Sequence, residues 1–410
     1  MKILLFALTL IIWSPVRAQV VYGCTDPLSN NYNANATVND GSCNYGSASV
    51  NTDSSVTLPT SVDETSGLII WNGSLYTIND DSDNNLYRLD PATGNIEQTL
   101  PISGTTNQDW EELAQDADYL YIGDFGNNVN GNRANLNIIK VGKAGLLGNA
   151  PVAEYINFSY PEQTAFTPTG NNSTNFDCEA MVVGNDSIYL FTKQWVGQQT
   201  VLYALPKTPG TYSAQYKGTL NVNGLVTGAT YLPEKKLVVL CGYSNLVSPF
   251  LYLLYDFKGQ DFFTGNKRKV SISASFHQME AIATADGLGY YLTNEHLQQA
   301  AIINIAQKLH FIDMTEYLQT YMDALAALPG VLEQAGIIIY PNPAGDMLII
   351  EGPASLQGIP YTIIDMMGRL VQQGLLEGAR TDIDVSAVPV GTYELRIQGF
   401  EDAAYKLVVK

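Results

Sequence analysis

The sequence predicts an all-β chain: a β-propeller of five blades with room for a sixth, followed by a small C-terminal antiparallel β-sandwich. Three observations carry this. Hydrophobic residues make up 46% and charged residues 15% of the chain, with Gly, Asn, Thr and Ser abundant, which suits short strands joined by many turns. Between about Asn51 and Tyr317 one unit returns five times: apolar strand, Gly/Asn/Asp turn, aromatic strand, polar loop, third strand. Its spacing of roughly 45 to 70 residues suits propeller blades better than a solenoid or a sandwich. Residues 337–410 then alternate strand patterns with Gly turns, as a small sandwich does.

The chain opens with MKILLFALTLIIWSPVRAQ, one Lys followed by an apolar run from Ile3 to Trp13 and Ala18 before Gln19. Residues 1–18 read as a secretory signal peptide, too short for a stable bilayer anchor. No later segment is long and apolar enough for a membrane helix. The expectation is a protein exported via the periplasm, then secreted or attached to the outer cell surface. Cys24 and Cys43 bracket a polar segment and are expected to pair there, making 19–46 a small disulfide module. Cys178 and Cys241 sit in strand patterns of different units, and the sequence leaves open whether they bridge or remain buried thiols. A net charge of −19 argues against a nucleic-acid partner, which needs clustered Lys and Arg. It suits plain solubility or cation binding.

The repeat occupies 51–317. Its units open SGLIIWNG at Ser66, EELAQDAD at Glu111, EAMVVGND at Glu179, GATYLPEK at Gly228 and EAIATADG at Glu280. Weaker fourth strands follow in AEYINFSY and KRKVSIS, and the insert from Pro161 to Asn175 leaves space for part of a sixth unit. MTEYLQTYMDALAAL then carries apolar residues at helical spacing, closed by Pro329 and Gly330, so 318–336 reads as a helical linker.

Particular residues add resemblances. YGCTDPLSNNYNANATVNDGSC resembles a small module that recurs in exported proteins of Bacteroidetes. Its oxygen-rich loop suits either a calcium ion or, the preferred reading, a polar cap stapled by one disulfide. Tyr340-Pro341-Asn342-Pro343, Asp365 with Gly368, Val388-Pro389 with Gly391-Thr392-Tyr393, and Lys406 to Lys410 resemble the type A sorting domain of type IX secretion across 337–410. That resemblance implies an export address read by the type IX machinery at the outer membrane, commonly cleaved on delivery, with the propeller as cargo. DWEELA…YLYIGDFGNN…R and DCEAM…IYLFTK are similar to esterase-like and phytase-like bacterial propellers, whose acidic channel residues hold calcium. The phytase-like resemblance also implies basic groups for phosphate. Arg133 and Lys193 are available, but no clear basic cluster is, which puts phosphatase activity in doubt.

Glu111, Glu179 and Glu280 open the innermost strand of three units, and Ser66 and Gly228 take the matching place in the other two. Propeller symmetry aims the three carboxylates at one axis, where each raises the pKa of the others unless a cation, a basic residue or a proton compensates. Three readings stand side by side. The glutamates bind a metal, calcium by preference, with Asp109 and Asp177 adding oxygens; or a metal or raised-pKa carboxyl serves a hydrolase as acid or base; or the side chains accept backbone N–H groups and close the ring. The second strands end in a polar rim set: Asn79 and Asp80, Asp124, Lys193 and Trp195, Glu295 and His296. Trp110 and Trp195 suit stacking on sugars if exposed, and equally suit a buried structural place. With His277 and His310 as the remaining histidines, a histidine metal site is not expected, and no Gly-X-Ser-X-Gly elbow, HExxH helix or P-loop occurs. Two function classes result: a non-catalytic propeller binding an extracellular glycan, peptide or metal, and a calcium-dependent esterase or phosphoesterase-like hydrolase.

Overall fold

A computed structural model describes residues 20–80, 83–299, 302–327, 332, 335–365, 369–400 and 405–410. The expected signal peptide and the signals at Pro329, Gly330 and Gly368 lie outside the described residues. The chain divides into two units, the first ending at Tyr321 and the second running Met322–Lys410.

In the first unit five antiparallel sheets follow one another along the sequence. Their first strands are Thr65–Trp71, Trp110–Gln115, Asp177–Val183, Leu225–Leu232 and Met279–Thr284. Each packs beside the next and the fifth returns to the first, so the sheets close a ring: this is a β-propeller. The second strands, Ser74–Asn79, Tyr119–Asp124, Ser187–Lys193, Leu237–Tyr243 and Gly289–Asn294, lie immediately outside. AEYINFSY and KRKVSIS do supply fourth strands, Ala153–Ser159 and Asn266–Ile272. No strand falls between Tyr160 and Phe176, so among the described residues the insert adds no further sheet.

Inner strands are covered on both faces and therefore read as unbroken burial, as in Asp177–Val183 and Leu237–Tyr243. Outer strands expose one face and alternate instead, as Ala153–Ser159 does. Between neighbouring sheets the core is aliphatic and aromatic; Ile78, Leu86, Trp110, Leu120 and Ile139 fill the gap between the first and second. Trp110 is fully buried with its indole N–H given to the Thr106 carbonyl, so it is a core residue and not a rim aromatic.

The ring is closed from the N-terminal side. Ser49–Val50 adds in parallel to Asn266–Ile272 in the fourth sheet, and Ser54–Thr57 pairs antiparallel with Lys308–Asp313 in the fifth. Cys24 and Cys43 form a disulfide, while Cys178 and Cys241 are buried free thiols. Thr315–Ala327 is helical. The second unit is a sandwich: a sheet of Ile338–Tyr340, Met347–Glu351 and Arg380–Asp384 facing one of Pro360–Asp365, Leu370–Leu375, Gly391–Ile397 and Tyr405–Val409. Leu348, Ile363, Leu395 and Leu407 form the centre of its core.

One irregularity recurs in all five first strands. The pairing with the second strand slips between Ser66 and Leu68, opposite Gly123/Asp124, between Cys178 and Ala180, between Val226 and Gly228, and between Met279 and Ala281. The extra residues are Gly67, Glu111, Glu179, Thr227 and Glu280. A β-bulge leaves its extra residue unpaired and re-aims its side chain, and here it does so at the same height in every blade.

Candidate acidic site at the channel mouth

The bulge ring is the position that the repeated glutamates mark. Two members differ from the sequence expectation by one residue: Gly67 and Thr227, not Ser66 and Gly228, are the bulged residues. Gly67 has φ +52°, and a Cβ there would stand 2.5 Å from the Leu113 nitrogen, so the first blade can carry no side chain in the ring. Thr227 gives its hydroxyl to the Met279 carbonyl of the next blade. Three carboxylates remain: Glu111, Glu179 and Glu280, all buried.

Their surroundings are acidic. Asp109 and Asp177 sit just before the bulges, as the sequence suggested. Asp177 is held by the Asn127 N–H at 2.6 Å and the Trp195 indole N–H at 2.8 Å. Lys193 ion-pairs with Glu179, its ammonium 4.7 Å from the Trp195 ring centre and 5.1 Å from that of Tyr243. Arg133 reaches Asp124 at 2.7 Å and Asp109 at 3.8 Å. Gly126, in the DFGNN stretch, is forced by the same cluster: a Cβ would stand 2.2 Å from Glu111 Oε1.

Burial, reinforced by neighbouring carboxylates, raises most of these acids. It pushes Asp109 up to about 6 and Glu280 to about 7, and raises Glu111, Glu179 and Glu295 well above the carboxylate range. Burial also opposes the charge on Lys193, but Glu179 and Glu280 outweigh it and hold the ammonium firmly protonated. The mouth therefore gathers more carboxyls than Lys193 and Arg133 can pair, and burial favours a proton on the surplus.

A second carboxylate group completes it. Glu64, Asp80 and Glu295 can bring one oxygen each within 4.8 Å of one another, a spacing that suits a single cation. Asp80 and Glu295 were legible as rim residues. Glu64, at the entrance of the one blade whose ring position is glycine, was not. His296 turns to Asn304 at 2.8 Å, beside the pairing of Leu297–Gln299 with Ile303–Ile305. Asp124 is buried against Arg133 and acts by positioning that guanidinium.

Glu112 is, with Glu64, a residue that sequence reasoning missed. It is wholly buried, and its carboxylate accepts the backbone N–H groups of Leu113 at 2.9 Å, Ala229 at 2.8 Å and Met181 at 3.4 Å. Those donors come from the first strands of three different sheets, so Glu112 ties them together across the axis. Burial pushes its carboxyl upward, against the pull of the three donors. Beyond it a cavity of about 340 Å³, lined by Leu68, Leu113, Met181, Ala229 and Ala283 among others, occupies the rest of the channel. A polar cavity of about 290 Å³ adjoins the acidic mouth instead, lined by Gln108, Asp109, Asn127, Asn130, Asn132 and Arg133.

Residues 338–410 match the family of secretion-system C-terminal sorting domains. The chain is thus a propeller cargo of type IX secretion, exported to the cell surface or the medium. No curated protein matches the sequence. Among solved structures it is similar to an aldose sugar dehydrogenase from Streptomyces coelicolor in its PQQ-bound form, at 10% identity and TM-score 0.38 over 65% of this chain and 98% of that one. It is also similar to PorZ, a surface component of the type IX secretion system of Porphyromonas gingivalis, at 14% identity and TM-score 0.30, covering 84% of this chain and 45% of PorZ. A third is a putative 6-phosphogluconolactonase from Bacteroides fragilis, at 11% identity and TM-score 0.31, over 85% of this chain and 95% of that one. No helix among the described residues is long and apolar enough to cross a membrane.

Proposed function

We propose that this exported propeller holds calcium at the acidic mouth of its channel and uses that mouth to bind an extracellular ligand. One observation carries the reading: three bulge glutamates and the Glu64–Asp80–Glu295 group gather at one pole, where Lys193 pairs with Glu179 while Arg133 is taken up by Asp109 and Asp124. The donors are all hard oxygens, which favours calcium over softer metals. Both the N-terminal module and the exit into Thr315–Ala327 attach at the ends of third strands, Tyr255 and Asp313, the pole opposite the mouth. The polar cavity beside Asp109 adjoins the mouth and would supply the first contact with a ligand.

A second reading rests on Arg133 and Lys193. Two cations beside a calcium site supply the charge that a phosphoester or ester needs in hydrolysis, with a raised-pKa carboxyl such as Glu280 or Asp109 as proton carrier.

Thermal unfolding in EDTA and then in millimolar calcium tests the first reading. Calcium at a hundredfold over its dissociation constant adds about 2.7 kcal/mol and raises the melt by several degrees. The shift is lost in a Glu179→Gln, Glu280→Gln double variant. Absence of any shift in the wild type sinks the calcium site. Calcium-dependent hydrolysis of aryl ester or phosphoester substrates, abolished by Arg133→Met, would decide for the second reading.

A further inference from the structure

The N-terminal module grips the propeller with two arms. Tyr22–Gly23 pairs with Val38–Asn39, and the Cys24–Cys43 bridge sits beside that pairing with its Cα atoms 4.8 Å apart. On the Cys24 side, the Asp26 carboxylate accepts the Leu28 N–H at 2.8 Å, the Tyr45 hydroxyl at 2.7 Å and the hydroxyl of Tyr255, from the third strand of the fourth sheet. Thr25 adds a bond to Asp256 at 3.3 Å. On the Cys43 side, the Asn39 amide donates to Asp256 at 2.8 Å and to Asn266 at 2.9 Å. The disulfide thus joins two arms that hold the same patch of the fourth sheet.

The chain then runs directly into the strands that close the ring. Arg268 lies 4.9 Å from the Tyr45 ring and 4.6 Å from the Tyr317 ring, and the Tyr317 hydroxyl donates to the Ser49 carbonyl at 2.7 Å. Ser49–Val50 has two residues and Ser54–Thr57 four. Edge strands so short form too few ladder bonds to stay in place unaided. Yet Ser54–Thr57 is what ties the beginning of the first unit to Lys308–Asp313 at its end. Asp53 accepts the Asp313 N–H at 2.7 Å and Ser55 bonds His310 at 2.7 Å, and the module on the fourth sheet, continuous in the chain with these strands, adds to those anchors.

We propose that the Cys24–Cys43 disulfide is the latch of ring closure. With the bridge reduced, the two arms part and Ser49–Thr57 leaves the fourth and fifth sheets; with it formed, the propeller is complete. In forming it, the two thiols give up two protons and two electrons to a small-molecule disulfide such as oxidised glutathione, which departs as two thiols. Completion of the ring is thereby tied to an oxidising compartment.

Hydrogen exchange read by mass spectrometry on the full mature chain tests this. Reduction of the folded protein with dithiothreitol is expected to speed exchange of amides 49–57 and of their partners in Lys308–Asp313 about tenfold or more. A Cys24→Ser, Cys43→Ser variant is expected to behave the same; if it does not fold, reduction of the oxidised protein gives the reading alone. A Tyr255→Phe, Asn39→Ala variant keeps the bridge but weakens both arms, and the same amides are expected to speed up. Acceleration confined to residues 20–46 in the reduced protein overturns the proposal. So does unchanged protection of 49–57 in the arm variant.

Discussion

The two poles of the propeller treat buried acid in opposite ways. At the module pole Asp26 is surrounded by donors, two tyrosine hydroxyls and a backbone N–H, and Asp256 meets Thr25 and Asn39. Each carboxylate there is answered by neutral hydrogen bonds, the ordinary means of burying one. At the mouth, Glu111, Glu179, Glu280 and Asp109 crowd one another, with Lys193 paired to Glu179 and Arg133 near Asp109, and Asp177 is the member with neutral N–H donors. Acid that is fully satisfied builds the fold. Acid that is left in excess is what the proposed calcium would answer.

Glu112 offers the strongest way to break that contrast, because it stands at the mouth yet belongs to the first kind. Glu112→Ala leaves three buried N–H groups without acceptors and should cost about 3–5 kcal/mol in denaturant unfolding, with or without calcium. A loss below about 1 kcal/mol would show that its bonds contribute little and that the mouth is uniform.

Glu280 probes the second kind through pH. Its folded pKa, about 7, lies above the ordinary 4.5, so the folded state binds the extra proton. Its stabilising share is complete below the unfolded value and is lost as pH rises through 7. In EDTA the wild type should lose about 2 kcal/mol between pH 5 and pH 8 from this group, and Glu280→Gln should flatten that part of the profile. Comparing the two proteins removes the contribution of His310. Burial pushes its imidazole down to about 3, so it tilts stability the other way below about pH 6.5. Identical slopes in wild type and variant would mean that Glu280 is already compensated.

The smallest effect belongs to the module pole. Tyr45→Phe removes one of the donors to Asp26 while Tyr255 and Leu28 remain, and should cost about 1 kcal/mol with no dependence on calcium. A calcium-dependent change in this variant would join the two poles and dissolve the comparison.

Much of this could be read from the residues in order. Strand-and-turn periodicity marked the sheets, and the tail residues from Tyr340 onward marked the sorting domain. The Glu that opens three of the five units marked a real ring, but its phase needed the bulge: counting alternation alone put Ser66 and Gly228 where Gly67 and Thr227 stand. Glu112 had a signal that went unused. The matching positions in the other units are Leu68, Ala180, Gly228 and Ala281, so a lone glutamate among small or apolar residues has to fill the axis. For Trp110 the residues left a sugar-stacking and a buried structural place equally open, and the packing of the neighbouring blade decided for burial.

By itself the sequence determined what is local and additive: strand period, turn chemistry, the disulfide pair, the sorting tail and the acidity of one strand end. Tertiary structure alone decided which acids meet. Ring closure brings Glu64 and Asp80 of the first blade against Glu295 of the fifth, and the packing of the third blade on the fourth sets Lys193 beside Tyr243. Pairings across such chain separations carry no local pattern, because burial and charge at the axis arise only once five separate strands share it.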